Sequence, residues 1–184
     1  VRNSKKGESF EALDNKKYTL GSNMCAITDK SGVLGLGGVI GGTRSGTELS
    51  TKNILIESAY FYPSEIRKTA KNLNIDTDAK YRFERGIDPN SIKMGLELAM
   101  CMILDICGGE ASKLSIVGKL KSKKKVIDLD PKKFLNIIGF SISNLEIKKI
   151  LTSLGCTLKI TKKAIKVIPP SWRPDLKLDI DHIE

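Results

Sequence analysis

Five glycines fall within the nine residues Leu34-Gly-Leu-Gly-Gly-Val-Ile-Gly-Gly42, and no other stretch of the chain narrows the possible folds as much. Small and apolar residues alternate through it, which predicts a buried strand ending in a turn, where backbones approach closely because no Cβ intervenes. The same glycines fail both common phosphate-loop patterns. Gly35-Leu-Gly37 has Ile40 where G-x-G-x-x-G needs its third glycine, and Gly37 to Gly42 is followed by Thr43 where a lysine would reach the phosphates. What glycine supplies here is room. Gly41 and Gly42 can floor a pocket in which a flat ligand meets the backbone and its N–H donors.

Around this run the first half reads as mixed α and β. Asn53-Ile-Leu-Ile-Glu-Ser-Ala59 has the composition of a second strand. Inside it Glu57 is either hydrogen-bonded, because a bare carboxylate is costly to bury, or turned to solvent by strand alternation. Pro63-Ser-Glu65 opens a helix carrying Ile66, Ala70 and Leu73. Asn90 or Ser91 caps a second helix, whose stripe Ile92, Leu96, Ala99, Met102, Ile103 and Ile106 is expected to be core and which Gly108-Gly109 ends. Between them, Asp78-Ala-Lys-Tyr-Arg-Phe-Glu-Arg-Gly-Ile-Asp88 alternates charged and aromatic residues. That pattern suits a strand with an ion-pair ladder or a surface that meets phosphates.

The second half is more clearly punctuated. Asp130-Pro131 starts a short helix through Phe134, Leu135 and Ile138 to Gly139, and Ser143-Asn-Leu-Glu146 is a capping box for a helix with Ile147, Ile150, Leu151 and Leu154 on one side, stopped by Gly155. Thr157–Ile160 and Ala164–Ile168 flank Thr161-Lys-Lys163 as a hairpin, closed by Pro169-Pro170. Helix, helix and hairpin predict a small winged-helix-like module.

Charge separates the two halves. Up to Gly118 there are 16 basic and 14 acidic residues, and beyond it 15 and 7, so an excess of +2 is followed by +8. The run Lys119-Leu-Lys-Ser-Lys-Lys-Lys125 reads as a solvated linker or exposed edge, or as a segment beside a polyanion, and the basic half makes nucleic acid a reasonable partner. The apolar stretches near Leu98–Ile106 and Ala164–Ile168 are too short for the roughly 20 residues of a membrane-spanning helix. Position 1 is Val and no signal-like apolar segment follows, so the chain is expected to be cut from something longer. Four cysteines without a CxxC pair predict reduced, mostly buried thiols, as in a cytoplasmic protein, and the lone His182 leaves little scope for histidine-based catalysis. Near the C-terminus, Asp175, Asp181 and Glu184 offer hard oxygen ligands suited to Mg²⁺, or else are helix-start acids favoured by the dipole.

Several long motifs, in order and spacing, resemble the bacterial phenylalanyl-tRNA synthetase beta subunit. They are Gly38-Val-Ile-Gly-Gly42, Ile54-Leu-Ile-Glu-Ser-Ala-Tyr-Phe-Tyr-Pro63, Ile66-Arg-Lys-Thr-Ala70, Tyr81-Arg-Phe-Glu-Arg-Gly-Ile-Asp-Pro89 and Pro169-Pro-Ser-Trp-Arg-Pro-Asp175. The resemblance covers essentially the whole chain. It implies an α+β fold: residues 1–120 as the C-terminal, mixed-sheet part of a tRNA-editing domain, and residues 121–184 as a small winged-helix-like α/β domain.

The resemblance also implies a role in charging tRNA(Phe), by hydrolytic editing of mischarged tyrosyl-tRNA and by scaffolding. Tyrosine is phenylalanine plus one hydroxyl, which an apolar pocket rejects only by about 10²-fold, so a second site that rewards the hydroxyl is useful. On that reading Glu57 occupies the hydroxyl-reading position, Gly41, Gly42 and Ala79 form the pocket, and no catalytic side chain is assigned. Asp175, Asp181 and Glu184 match the family's Mg²⁺ acids. ATP is implied as a substrate of the whole enzyme, not bound by this chain, and the partners are the alpha subunit, in a heterotetramer of two alpha and two beta chains, and tRNA(Phe). Two rivals are a tRNA-binding and assembly module without editing activity, and an independent nucleic-acid-binding protein built on the basic half. The second is weakened because Glu146–Leu154 offers only Lys148 and Lys149 as a recognition surface.

Overall fold

The computed structural model describes residues 1–118, 125–161 and 164–183. The chain divides into two compact units, residues 1–87 with 91–111, and residues 88–90 with 112–184. The turn lysines 162 and 163, most of the 119–125 run and Glu184 lie outside the described residues.

In the first unit the strands are β1 (Arg2–Asn3), β2 (Ser9–Glu11), β3 (Lys17–Thr19), β4 (Cys25–Asp29), β5 (Gly32–Leu36) and β6 (Ile40–Gly41). An antiparallel sheet runs in the order β1-β4-β5-β6, with β2 and β3 as a separate hairpin and a lone bridge joining Ala12 to Gly42. The glycine run is therefore two short strands around a turn, where one strand was expected. Gly38 takes φ +69°, a conformation open to glycine at little cost, and a Cβ on Gly37 would stand 2.5 Å from the Phe61 ring. Phe10, Leu20, Met24, Leu36 and Val39 form the core with Ile66, Ala70 and Ile75.

Helix α1 (Pro63–Leu73) starts with proline in its first turn and ends at Asn74 in the left-handed conformation, as the punctuation predicts. It buries Ile66 and Ala70, and withdrawing an isoleucine side chain from water contributes about 1.5–3 kcal/mol. Two expectations are corrected in this unit. Asn53–Ala59 belongs to no strand, because its apolar run spans a cavity instead of alternating against a sheet neighbour. Residues 78–83 are a helix, α2 (Asp78–Phe83), not a strand. Thr77 caps it by accepting from the Lys80 N–H at 3.1 Å. The charges pair Asp78 with Arg82 and Lys80 with Glu84 along the helix, at i,i+4. A period of two in sequence also satisfies a spacing of four, which is why the ladder reading looked sound.

Helix α3 (Ser91–Cys107) ends at Gly108 and Gly109, both at positive φ. Its stripe is not core among the described residues: none of its side chains is buried, and Met102 and Ile106 are 53% and 78% exposed. The described part of the unit covers one side of the helix only partly. The cysteines are free thiols, but only Cys156 is buried and Cys25 half-buried, while Cys101 and Cys107 lie exposed on or at the end of α3.

The second unit contains β7 (Ile127–Leu129), α4 (Pro131–Ile138), α5 (Asn144–Ser153), β8 (Thr157–Ile160) and β9 (Ile165–Ile168). The antiparallel sheet order is β7-β9-β8, so the expected hairpin gains a third strand that three residues beside a lysine run do not announce. Asp130 accepts from the Lys132 N–H and Ser143 from the Glu146 N–H, capping the two helices. Leu129, Phe134, Ile147, Leu151, Ile165 and Val167 make the core. Ile150 and Leu154 are exposed, beside Ile147 and Leu151 on the rim of a cavity of about 400 Å³. Gly155 lies under Trp172, whose ring would stand 2.8 Å from a Cβ there.

Replacing Gly37 with alanine is expected to cost about 1–3 kcal/mol in urea unfolding, the usual penalty for forcing an extra methyl into a packed site. Gly95→Ala on α3, where a Cβ meets open space, is the control expected to lose no stability.

Candidate functional site

Phe61 holds the irregular 51–62 segment onto the sheet. Its ring sits over Gly37 and Gly38 and meets Phe83 of α2 edge-on, with centroids 5.2 Å apart. Two hydroxyls complete the frame. Thr77 Oγ1 donates to the Val39 carbonyl at 2.6 Å, tying the start of α2 to the glycine turn, and Ser58 Oγ donates to the Ile92 carbonyl at 2.8 Å, tying the segment to α3.

These contacts border an open cleft of about 910 Å³. Gly41, Glu57 and Ala79, each named from the sequence, line it together with Gly37, Gly38 and Phe83. Gly42 does not line it; the space its Cβ would take is filled by the Leu34 carbonyl, 2.4 Å away, so this glycine serves strand packing. Glu57 is exposed at the cavity mouth, and partial desolvation by the atoms around it pushes its carboxyl above the ordinary carboxylate range. Among the described residues no hydrogen bond or ion pair reaches it. Small residues on floor and wall, aromatic rings at the side and one unpaired carboxylate make a site for a flat apolar group with a hydrogen-bond donor. No histidine or cysteine is among the lining residues. Phe61, Ser58 and Thr77 were missed by the sequence reading, although Thr77-Asp78 is a legible helix cap.

In the second unit the C-terminal acids have partners. Arg173 forks onto Asp175 through Nε at 2.9 Å and Nη2 at 2.7 Å, which holds that carboxyl below its ordinary range. Asp181 accepts from the Leu178 and Lys177 N–H groups at 2.8 and 2.7 Å, with the same effect. Lys133 pairs with Asp179. Among the described residues no group of three or more metal-ligating side chains converges; both oxygens of Asp175 meet Arg173, while Asp181 uses Oδ2 alone in its two backbone bonds. Glu184, the third acid, lies outside the described residues. His182 is buried, with Nδ1 2.9 Å from the Leu178 carbonyl and Nε2 without a partner among the described residues.

These two α+β units have recognisable counterparts. The B3/4 domain model matches residues 1–108, and the tRNA synthetase B5 domain model matches residues 127–184. The chain belongs to the B3/4 domain family and carries a B5 domain behind it. Along its full length it is similar to phenylalanine–tRNA ligase beta subunits: 43% identical over 185 residues to that of Rhodospirillum rubrum, 41% over 184 to that of Rhodopseudomonas palustris and 40% over 184 to that of Mesorhizobium japonicum. Each match covers 100% of this chain and 23% of the relative, so the chain spans about a quarter of the length of these curated relatives. Their ligase is an aminoacyl-tRNA synthetase. The resemblance carried by the motifs, and the α+β class it implied, are borne out.

The Glu57 shift has a definite sign for stability. A carboxyl whose pKa is raised on folding binds its proton more readily in the folded chain, so its contribution declines as pH rises through 4.5 and beyond. Glu57→Gln is therefore expected to raise the melting temperature at pH 7, with the gain shrinking as the pH falls toward 4.5 and absent below it, in paired thermal scans across that range.

Proposed function

We infer that the chain serves, within a phenylalanine–tRNA ligase beta subunit, as the site that hydrolyses tyrosine wrongly esterified to tRNA(Phe). The observation that carries this reading is the unpaired Glu57 carboxylate lining a glycine-floored cavity. A phenol hydroxyl donates to that carboxylate. A phenyl ring offers no such donor and leaves the partly buried charge uncompensated. Ala79 keeps the ring slot open, and Gly41 keeps the floor low. Water then attacks the ester carbonyl and the acyl–oxygen bond breaks, releasing tyrosine and intact tRNA. Catalysis rests on positioning and on backbone N–H donors near the glycine turn, since the cavity offers no histidine or cysteine.

In the same reading the whole enzyme pairs this subunit with an alpha subunit, two of each, in the cytoplasm, and charges tRNA(Phe) at the expense of ATP. No helix among the described residues is long and apolar enough to cross a membrane. Mg²⁺ belongs to that whole enzyme, and Asp175, Asp181 and Glu184 are the acids that would hold it, Asp175 once its carboxylate leaves Arg173. No step of the hydrolysis is assigned to a metal. A second reading, an assembly and tRNA-binding module without hydrolytic activity, draws on the cavity's lack of a side-chain general base other than Glu57.

The deciding experiment compares deacylation of tyrosyl-tRNA(Phe) and phenylalanyl-tRNA(Phe) by the ligase carrying this chain. Glu57→Ala is expected to cut the preference for the tyrosyl ester about 10- to 100-fold, the worth of one hydrogen bond to a charged group. Ala79→Trp is expected to abolish hydrolysis of both esters by filling the slot. Tyrosyl release unchanged by Glu57→Ala removes that residue from the site, and a wild-type enzyme without tyrosyl preference favours the assembly reading.

A further inference from the structure

The strip Asp78–Asp88 does more than wall the cavity. Along it and along the segment before α1, neighbouring residues point opposite ways. Phe61 and Phe83 pack against each other at the cavity, whereas Tyr62 is 70% exposed and Tyr81 is 54% exposed. The Arg85 guanidinium lies over the Tyr81 ring at 3.6 Å from its centroid and is anchored there by donating to the Tyr81 carbonyl at 2.9 Å and to Glu84 at 3.1 Å. Arg67 of α1 donates to the Glu84 carbonyl at 3.2 Å, which brings the start of α1 beside the end of α2. Tyr81 and two arginines thus gather around Glu84, and Tyr62, edge-on to Tyr60 with centroids 5.9 Å apart, precedes Pro63, whose Cγ would stand 3.6 Å from a Cβ on nearby Gly86. One of the rings is already layered with a planar cation.

That combination has a chemistry of its own. Exposed aromatic rings and guanidinium planes are what unstacked bases lie on, while the cations answer the phosphates between them. An acidic peptide would use the arginines and leave both rings idle. A duplex would offer its phosphates and keep its bases stacked. The outer face is about one helix diameter, roughly 10 Å, from the cavity side of α2, a span that one or two nucleotides cover.

We propose that Tyr62, Tyr81, Arg85 and Arg67 form a stacking platform for the unpaired 3′ end of an RNA whose terminal acyl group enters the cavity. The proposal rests on the reading of the cavity as a site for an aminoacyl ester, and assigns these four as positioning residues. Tyr81 and Arg85 take a base, Tyr62 takes a neighbouring one, and Arg67 meets a phosphate.

The test uses the 184-residue chain and a fluorescent single-stranded RNA tetranucleotide, ACCA, titrated by anisotropy at several salt concentrations. Because the RNA carries no amino acid, its binding is read independently of cavity selectivity. Tyr81→Ala and Arg85→Ala are each expected to weaken binding about tenfold, and Tyr81→Phe to retain it, since stacking needs the ring and not the hydroxyl. Arg67→Gln is expected to flatten the salt dependence by about one phosphate contact. Wild-type affinity in both alanine variants overturns the proposal, as does equal competition by duplex RNA or a wild-type chain that does not bind at about 1 mM. In the whole ligase, Tyr81→Ala should raise KM for tyrosyl-tRNA while leaving the tyrosyl-over-phenylalanyl preference intact. Loss of that preference instead overturns the positioning role, and absence of it in the wild type counts against the cavity reading alone.

Discussion

One ring holds the first unit's cavity together. Phe61 rests on two consecutive residues without a Cβ, Gly37 and Gly38, and meets Phe83 across the gap. Apolar burial of one aromatic side chain thereby joins three pieces that share no strand ladder: the β5–β6 turn, the irregular segment that carries Glu57, and helix α2, which Thr77 also ties to the turn. Without that seat, the apolar residues Ile54-Leu-Ile56 have no strand partner to hold them, and the carboxylate has no fixed wall. The glycines thus matter as absence of bulk, and the ring is what turns that absence into a cleft.

The second unit is held by a different economy. Its caps, Asp130 and Ser143, and its C-terminal pairs, Arg173 with Asp175 and Lys133 with Asp179, are local and polar, laid over a small apolar core around Leu129 and Val167. The acids that look like a ligand set in one dimension are distributed among separate tasks in three. Asp175 orients an arginine next to the exposed Trp172, and Asp181 closes a turn.

How much of this was legible depended on whether the signal was local. Pro63, the Asp130-Pro131 pair, Ser143 and the glycines at 108, 139 and 155 mark helix ends through backbone chemistry that acts within a few residues, and the structure follows them. The failures share a cause. Residues 78–83 obey a period of two and a spacing of four at once, and only Thr77 breaks the tie. Residues 53–59 have a strand's composition without a strand's neighbour, which no window along the chain contains. On the site, Glu57 stood out as a carboxylate inside an apolar run and Gly41 as part of a glycine cluster, whereas Ala79 was named only through the family resemblance. Phe61 and Thr77 did not, because an aromatic beside tyrosines and a threonine before an aspartate are ordinary until the fold brings them to glycine and to Val39.

The Thr77 hydroxyl is committed twice, giving its proton to the Val39 carbonyl and taking one from the Lys80 amide. This fixes α2 by its first turn, upstream of the methyl of Ala79 that faces the cavity. The width of the slot and the integrity of the helix are thereby encoded in different residues two positions apart. A lineage can resize the cavity at position 79 while the clasp at position 77 keeps the wall where it is.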